Sequence, residues 1–136
     1  MKTVQLIIWT DSMAARETEK EFRYVLAMRR ERIYGAGTVR GTYNRVTMGA
    51  ILAGLEKLEE NALVYIYTDN RSVLTLAAHN LKQWEKNGFM TTKNKPVANA
   101  DLWERIAIKT HSFKLVGKPV NTLQREWLKE SATQSM

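Results

Sequence analysis

"ALVYIYTD" (residues 62–69) decides how this chain is read. It is an apolar and aromatic run rich in strand formers that stops at Thr-Asp. With almost no charge before Asp69, it predicts a strand buried on both faces. The chain holds an echo of it. "VQLIIWTD" (residues 4–11) gives a strand over Val4–Trp9 and the same Thr-Asp end. Were the two strands parallel neighbours, Asp11 and Asp69 would meet at their carboxyl ends, where sheets of this kind bind ligands. Adjacent carboxylates repel, and a cation offsets them. Mg²⁺ suits, because it takes hard oxygen ligands and few of them from protein. A plainer account fits the same pattern: Asp11 as a turn residue, and Asp69, ahead of Asn70, Arg71 and Ser72, as a helix cap.

Between the two runs the period changes. Asp11 to Lys20 is polar, with neither Gly nor Pro. Glu21 to Met28 reads as a second strand, Arg29–Arg32 as a turn, and Ile33 to Val39 as a third strand. Gly35 and Gly37 in that third strand mark a bulge or a close approach. From Arg45, the residues Val46, Ala50, Ile51, Leu55 and Leu58 share one helical face. Gly49 and Gly54 let that helix sit close to a sheet.

Beyond the fourth strand, Ser72–Lys86 reads as helical with a break near Asn80. Gly88–Asn99 is a Lys-rich loop, and Ala100–Lys109 a helix capped by Asn99 or Asp101. His111–Gly117 is a fifth strand. Pro119 and Asn121 form a turn, and Thr122 caps a last helix reaching about Lys129. The order predicts an α/β fold: a five-stranded mixed sheet whose first three strands are antiparallel. The later strands arrive by helical crossovers and run parallel to the first.

The 136 residues fit one domain, 1–136, with a frayed polar tail from about 131. Hydrophobic content of 44% and charged content of 26% are those of a soluble globular protein. There is no cysteine, which excludes disulfides and thiolate metal sites and suits a reducing compartment. The apolar N-terminal stretch is short, interrupted by Gln5 and ended by Asp11, unlike a signal peptide. No run approaches a membrane span. A cytoplasmic monomer is expected. The net charge of +7 and pI near 9.8 point toward a polyanionic partner, most often nucleic acid.

Several strings together resemble type 1 ribonuclease H along nearly the whole chain. They are the Thr-Asp ends, "AGTVRGTYNR" (36–45), "AILAGLEKL" (50–58), "YTDNRSV" (67–73) and, most specifically, "KQWEKNGFMTTKNKPVANADLWERI" (82–106). The last looks like the family's basic protrusion followed by its Asn-x-Asp-Leu-Trp helix. The resemblance implies a ribonuclease H-like fold and cleavage of the RNA strand of RNA–DNA hybrids, by four carboxylates around two Mg²⁺ ions.

Carried over by position, Asp11 and Asp69 fall on the first and third carboxylates and are the metal ligands. Glu126 aligns with the fourth. Thr47, in "NRVTMGA", stands where the second carboxylate, a Glu, is expected. A Thr hydroxyl is neutral and a weak ligand. Losing even an outer partner of a metal costs about 10–100-fold in affinity or activity. The glycine- and proline-rich loop that follows the first carboxylate in the family is replaced by "SMAARETEKE" (12–21), and the His-containing loop before the last helix is missing. Glu17 and Glu19 are alternative sources of a carboxylate. His111 reads as structural.

The binding residues implied by the resemblance survive better. Arg40 and Thr42 match a DNA-phosphate grip, and Asn44 and Arg45 the polar pair that follows. Tyr43 replaces an Asn that contacts the minor groove, and Asn99 matches a backbone-positioning residue. Lys82, Lys86, Lys93 and Lys95 are interleaved with Trp84 and Phe89 on the protrusion, whose aromatics either pack on sugars or hold the protrusion together. Asn80 stands where the family often has a Trp, and Trp103 reads as packing.

The expected function is therefore binding of RNA–DNA hybrid or other duplex nucleic acid, with cleavage impaired or lost and Mg²⁺, or Mn²⁺ in its place, held weakly. The alternatives are a working Mg²⁺-dependent endoribonuclease H using Asp11, Asp69 and Glu126, and a non-catalytic scaffold that docks on protein.

Overall fold

A computed structural model describes residues 2–59 and 61–121, together with Gln124 and Glu126. Its strands are β1 (Lys2–Thr10), β2 (Thr18–Ala27), β3 (Arg32–Gly41), β4 (Ala62–Tyr67) and β5 (Phe113–Lys118). Helix α1 (Tyr43–Leu55) follows β3, while α2 (Arg71–Asn87) and α3 (Ala100–Lys109) lie between β4 and β5. The sheet order is β3-β2-β1-β4-β5. β1 pairs antiparallel with β2 and parallel with β4, and β4 pairs parallel with β5. This is the expected mixed sheet.

Residue alternation sets the two faces of the sheet. Val4, Leu6 and Ile8 of β1, Phe22, Tyr24 and Leu26 of β2, and Val64 and Ile66 of β4 pack in one core with Val46, Ala50 and Ile51 of α1 and Trp103 and Ile106 of α3. On the other face Ile7 and Val25 form a small cluster with Trp9 and Tyr67. The Arg23 guanidinium lies 4.9 Å from the centre of the Trp9 ring there. The expectation that β4 is buried on both faces is corrected. Ala62, Val64 and Ile66 are buried, whereas Leu63, Tyr65 and Tyr67 are only half-buried. The three helices pack on the Val64 side.

Other boundaries move for local reasons. α2 runs unbroken through Asn80, since one Asn costs a helix only a fraction of a kcal/mol, up to about 0.7. It stops at Gly88, whose left-handed φ of 75° turns the chain so that the Phe89 N–H reaches the Trp84 carbonyl at 2.8 Å. Leu58 lies past the end of α1 but still packs on the core. The N-cap of α2 is Asn70 rather than Asp69. Thr122 and the tail from 131 lie outside the described residues, as does the helix through Lys129 apart from Gln124 and Glu126. Asn121 and Gln124 exchange reciprocal hydrogen bonds of 3.0 and 2.8 Å, a capping-box pattern.

Gly35 and Gly37 mark a close approach. They pair with Tyr24 and Phe22, whose near-parallel rings lie 6.4 Å apart over them. A Cβ at Gly35 would come within 2.2 Å of the Tyr24 ring, and one at Gly37 within 2.7 Å of the Phe22 ring. Burial, reinforced by Glu56, holds the Tyr24 phenol above its ordinary pKa of 10.0. Gly35→Ala is expected to lose about 1–3 kcal/mol as the ring is displaced, measured by urea unfolding. A neutral result would mean the ring yields freely.

Candidate carboxylate site and nucleic-acid interface

The parallel register ends at Ile7 opposite Tyr67. Asp69 therefore lies just past the end of β4, and Asp11 just past β1 on the neighbouring strand. The Asp11 backbone N–H donates to the Glu21 carbonyl at 3.1 Å. Its Oδ1 accepts from the Glu21 N–H at 3.0 Å. Asp11 thus extends the β1–β2 ladder by one more pair while its side chain stays exposed. Asp69 is partly buried, and its carbonyl accepts from the Arg71 N–H at 3.0 Å.

Thr47 lies on the buried side of α1, with no exposed surface. Its hydroxyl donates to the Tyr43 carbonyl one turn back, at 2.9 Å, and accepts from Asn70 Nδ2 at 3.0 Å. Asn70 is itself buried, and the same amide donates to Asn44 Oδ1 at 3.0 Å. Its Oδ1 accepts from the Val73 N–H at 3.1 Å, capping α2. Its backbone N–H donates to Thr68 Oγ1 at 3.1 Å. A closed polar network therefore joins the N-terminal turns of α1 and α2 where a carboxylate was expected. Sequence reading passed over Asn70, although an Asn directly before Arg-Ser-Val is a helix-start signal in its own right.

This donor set does not fit a pair of Mg²⁺ ions. The Thr47 hydroxyl is neutral, and its proton and one lone pair are already engaged. Among the described residues no group of three or more His, Cys, Asp or Glu side chains is placed to hold a metal ion. The alternative carboxylates have other neighbours. Glu17 acts electrostatically on Arg45. Glu19 sits in β2 opposite Arg40 of β3. Glu126 is helical and exposed, and the residues on either side of it lie outside the described ones. His111 pairs with Glu85 across 3.0 Å on the surface.

The binding residues divide into two kinds. Arg40, Lys82, Lys86, Lys93 and Lys95 are exposed cations. The others take part in building the protein. The Thr42 hydroxyl caps α1 by accepting from the Arg45 N–H at 3.2 Å. The Tyr43 N–H donates to the Ala14 carbonyl. Asn44 joins the Asn70 network and reaches Ser72 Oγ at 3.4 Å. Phe89 is buried in the core cluster, at a left-handed φ of 62°. Trp84 packs against Trp103 with ring centres 5.6 Å apart. Both aromatics therefore hold the protrusion together.

Arg45 meets Asp101 with two parallel hydrogen bonds of 3.0 and 2.7 Å, and reaches Asn99 Oδ1 at 3.3 Å. Asn99 occupies the α3 N-cap in a left-handed conformation, φ 59°, without a side-chain cap bond. Its amide oxygen faces Arg45 instead. The Arg45 hydrogen bond holds the Asp101 carboxyl below its ordinary value of 3.8. A depressed carboxyl adds stability that is present above the unfolded value and is lost as pH falls through the folded one. An Arg45→Ala/Asp101→Ala cycle is expected to give a coupling of about 0.5 kcal/mol at neutral pH, small because both partners are part-exposed. The coupling should vanish on titration below the folded value. One that survived there would not be ionic.

A profile of the RNase H family matches residues 3–116. Ribonuclease H of Escherichia coli O139:H28 is 37% identical over 87 residues, which are 62% of this chain and 56% of that protein. Ribonuclease H of Shigella boydii serotype 18 gives the same figures. The match thus spans little more than half the length of those relatives. Among solved structures, LC9-RNase H1, described as a type 1 RNase H with the type 2 active-site motif, superposes with a TM-score of 0.68 at 14% identity, over 98% of this chain and 72% of that one. A foamy viral protease-reverse transcriptase in complex with dsDNA gives 0.71 at 18%, over 98% and 92%. The same enzyme in complex with RNA/DNA hybrid gives 0.65 at 16%, over 98% and 19%. At these identities the likeness is one of fold.

Proposed function

This chain belongs to the RNase H family, and on that premise we propose that it binds RNA–DNA hybrid or a related duplex and cleaves it slowly or not at all. One observation carries the reading: the residue in the second carboxylate position, Thr47, is buried and hydrogen-bonded on both sides. A neutral, engaged hydroxyl supplies neither the negative charge nor the free oxygen that two divalent ions need. Asp11 and Asp69 still supply negative charge at the strand ends and suffice for weak Mg²⁺ or Mn²⁺ association. The exposed cations are the part of the family's surface that serves binding. Solved relatives of this fold are described in complex with dsDNA and with RNA/DNA hybrid, which supports a duplex as the partner.

The test is a labelled RNA–DNA hybrid incubated with the protein in Mg²⁺ or in Mn²⁺, with Asp69→Asn alongside. Retarded but uncut hybrid is the expected result. Rapid, multiple-turnover cleavage that Asp69→Asn abolishes overturns the proposal in favour of a working endoribonuclease. Absence of binding at low salt favours the scaffold reading.

A further inference from the structure

Lys20 stands apart in this molecule. It has no exposed surface, and no carboxylate is paired with it among the described residues. Its ammonium donates to the Arg16 carbonyl at 2.6 Å, Thr18 Oγ1 at 2.8 Å and the Gly41 carbonyl at 2.5 Å. A lysine has three N–H donors, and all three are used. The acceptors belong to two separate pieces of chain. Arg16 lies in the loop between β1 and β2, residues 11–17. Gly41 ends β3, directly before Thr42, which caps α1. One further hydrogen bond crosses between the same two pieces, from the Tyr43 N–H to the Ala14 carbonyl, and within the loop the Ala14 N–H donates to Ser12 Oγ, each at 3.1 Å.

We propose that Lys20 is a positioning residue: its ammonium pins the 11–17 loop to the β3–α1 junction, so that Asp11, Arg40 and Thr42 form one rigid face toward a nucleic-acid backbone. The loop contains neither Gly nor Pro to stiffen or turn it. A buried cation joined only to uncharged oxygens is costly to keep, so it fits a site where geometry is required. Arg40 immediately precedes Gly41, whose carbonyl Lys20 holds, and Asp11 is held by its own two bonds to Glu21, the residue next to Lys20; the two ends of the proposed face thus meet at Lys20–Glu21. The proposal rests on the duplex-binding reading above. It adds that binding depends on a residue that touches no nucleic acid.

Lys20→Met tests it with two measurements, amide hydrogen exchange and hybrid affinity as a function of salt. The Tyr43 amide, which donates to the loop, should exchange at least tenfold faster, while the amides of Leu6 and Val64 in the central strands keep their rates. Hybrid affinity should fall about tenfold with an unchanged salt slope, because a buried lysine neutralises no phosphate. An unchanged Tyr43 rate overturns the proposal. So does a faster Tyr43 rate at unchanged affinity, which would make Lys20 purely structural, and so does a reduced salt slope, which would make it a direct contact. Should Lys20→Met fail to fold, Lys20→Arg keeps the charge but replaces the three-way ammonium by a planar guanidinium, and is judged by the same outcomes. A wild-type chain that binds no duplex brings down the binding half together with the reading beneath it, and Tyr43 exchange still decides whether Lys20 holds the loop.

Discussion

Asn70→Leu is expected to destabilise the fold by about 3 kcal/mol, with the slope of the urea transition unchanged. The Asn70 side chain caps α2 through the Val73 N–H and donates to both Thr47 and Asn44. Losing a side-chain N-cap costs about 0.5–2 kcal/mol. Removing the donor leaves the buried Thr47 oxygen one partner short, and an unsatisfied buried polar group costs about 1–3 kcal/mol. Leu has the same number and branching of side-chain heavy atoms as Asn but bulkier methyl groups, so no cavity opens, and crowding adds to the polar loss. Asn70→Asp retains the cap acceptor but offers no N–H to Thr47. It should fall between wild type and Asn70→Leu. A loss below about 1 kcal/mol for Asn70→Leu, read from the same transitions, would mean that the network is replaced by solvent and that the second carboxylate position is open.

The architecture was legible because it rests on periodicity and chain order. The runs ending at Asp11 and Asp69 are strands, they are parallel neighbours, and the region between them supplies an antiparallel hairpin and a helix. What sequence could not give was which polar residues turn inward. Lys20 sits in a stretch that reads as solvated loop, yet it is in β2 and fully buried, because its three acceptors come from two loci that only the folded chain brings together. Arg45 and Asp101 show the same limit. Each suits a surface role alone, and they pair only because α1 and α3 pack side by side. The burial of β4 was misjudged for a related reason. Val, Ile and Tyr favour strands whether one face is covered or both, and only the placement of the helices decides.

Thr47 was the informative residue at both levels. Its type alone indicated a missing charge; its burial shows that the surroundings close over the gap. The α1 backbone takes the hydroxyl proton and the Asn70 amide one of its lone pairs, so a carboxylate at this position would give up the bond to the Tyr43 carbonyl and remain buried.

Hybrid affinity is expected to fall about 10²–10³-fold between about 50 and 200 mM salt, the loss that follows from neutralising about five phosphates. Of the exposed cations, those that the family resemblance places on the binding surface are Arg40, Lys82, Lys86, Lys93 and Lys95, on a chain of net charge +7. Each phosphate neutralised releases a condensed counterion, so the slope of log affinity against log salt reads how many of these side chains touch the backbone. Lys93→Gln and Lys95→Gln should each lower the slope by about one, weakening binding similarly for hybrid and for dsDNA. Arg45→Ala should behave differently. Its charge is already matched by Asp101, so the slope should barely move even where affinity changes. Phe89→Leu, at a buried position, should leave the slope intact and act through the stability of the protrusion. Filter-binding or fluorescence-anisotropy titrations at four or more salt concentrations distinguish these cases. A slope near zero for the wild type would remove the electrostatic surface as the basis of binding, whatever the net charge. A slope that drops equally for Arg45→Ala and Lys93→Gln would show that Asp101 releases Arg45 to the phosphates on binding.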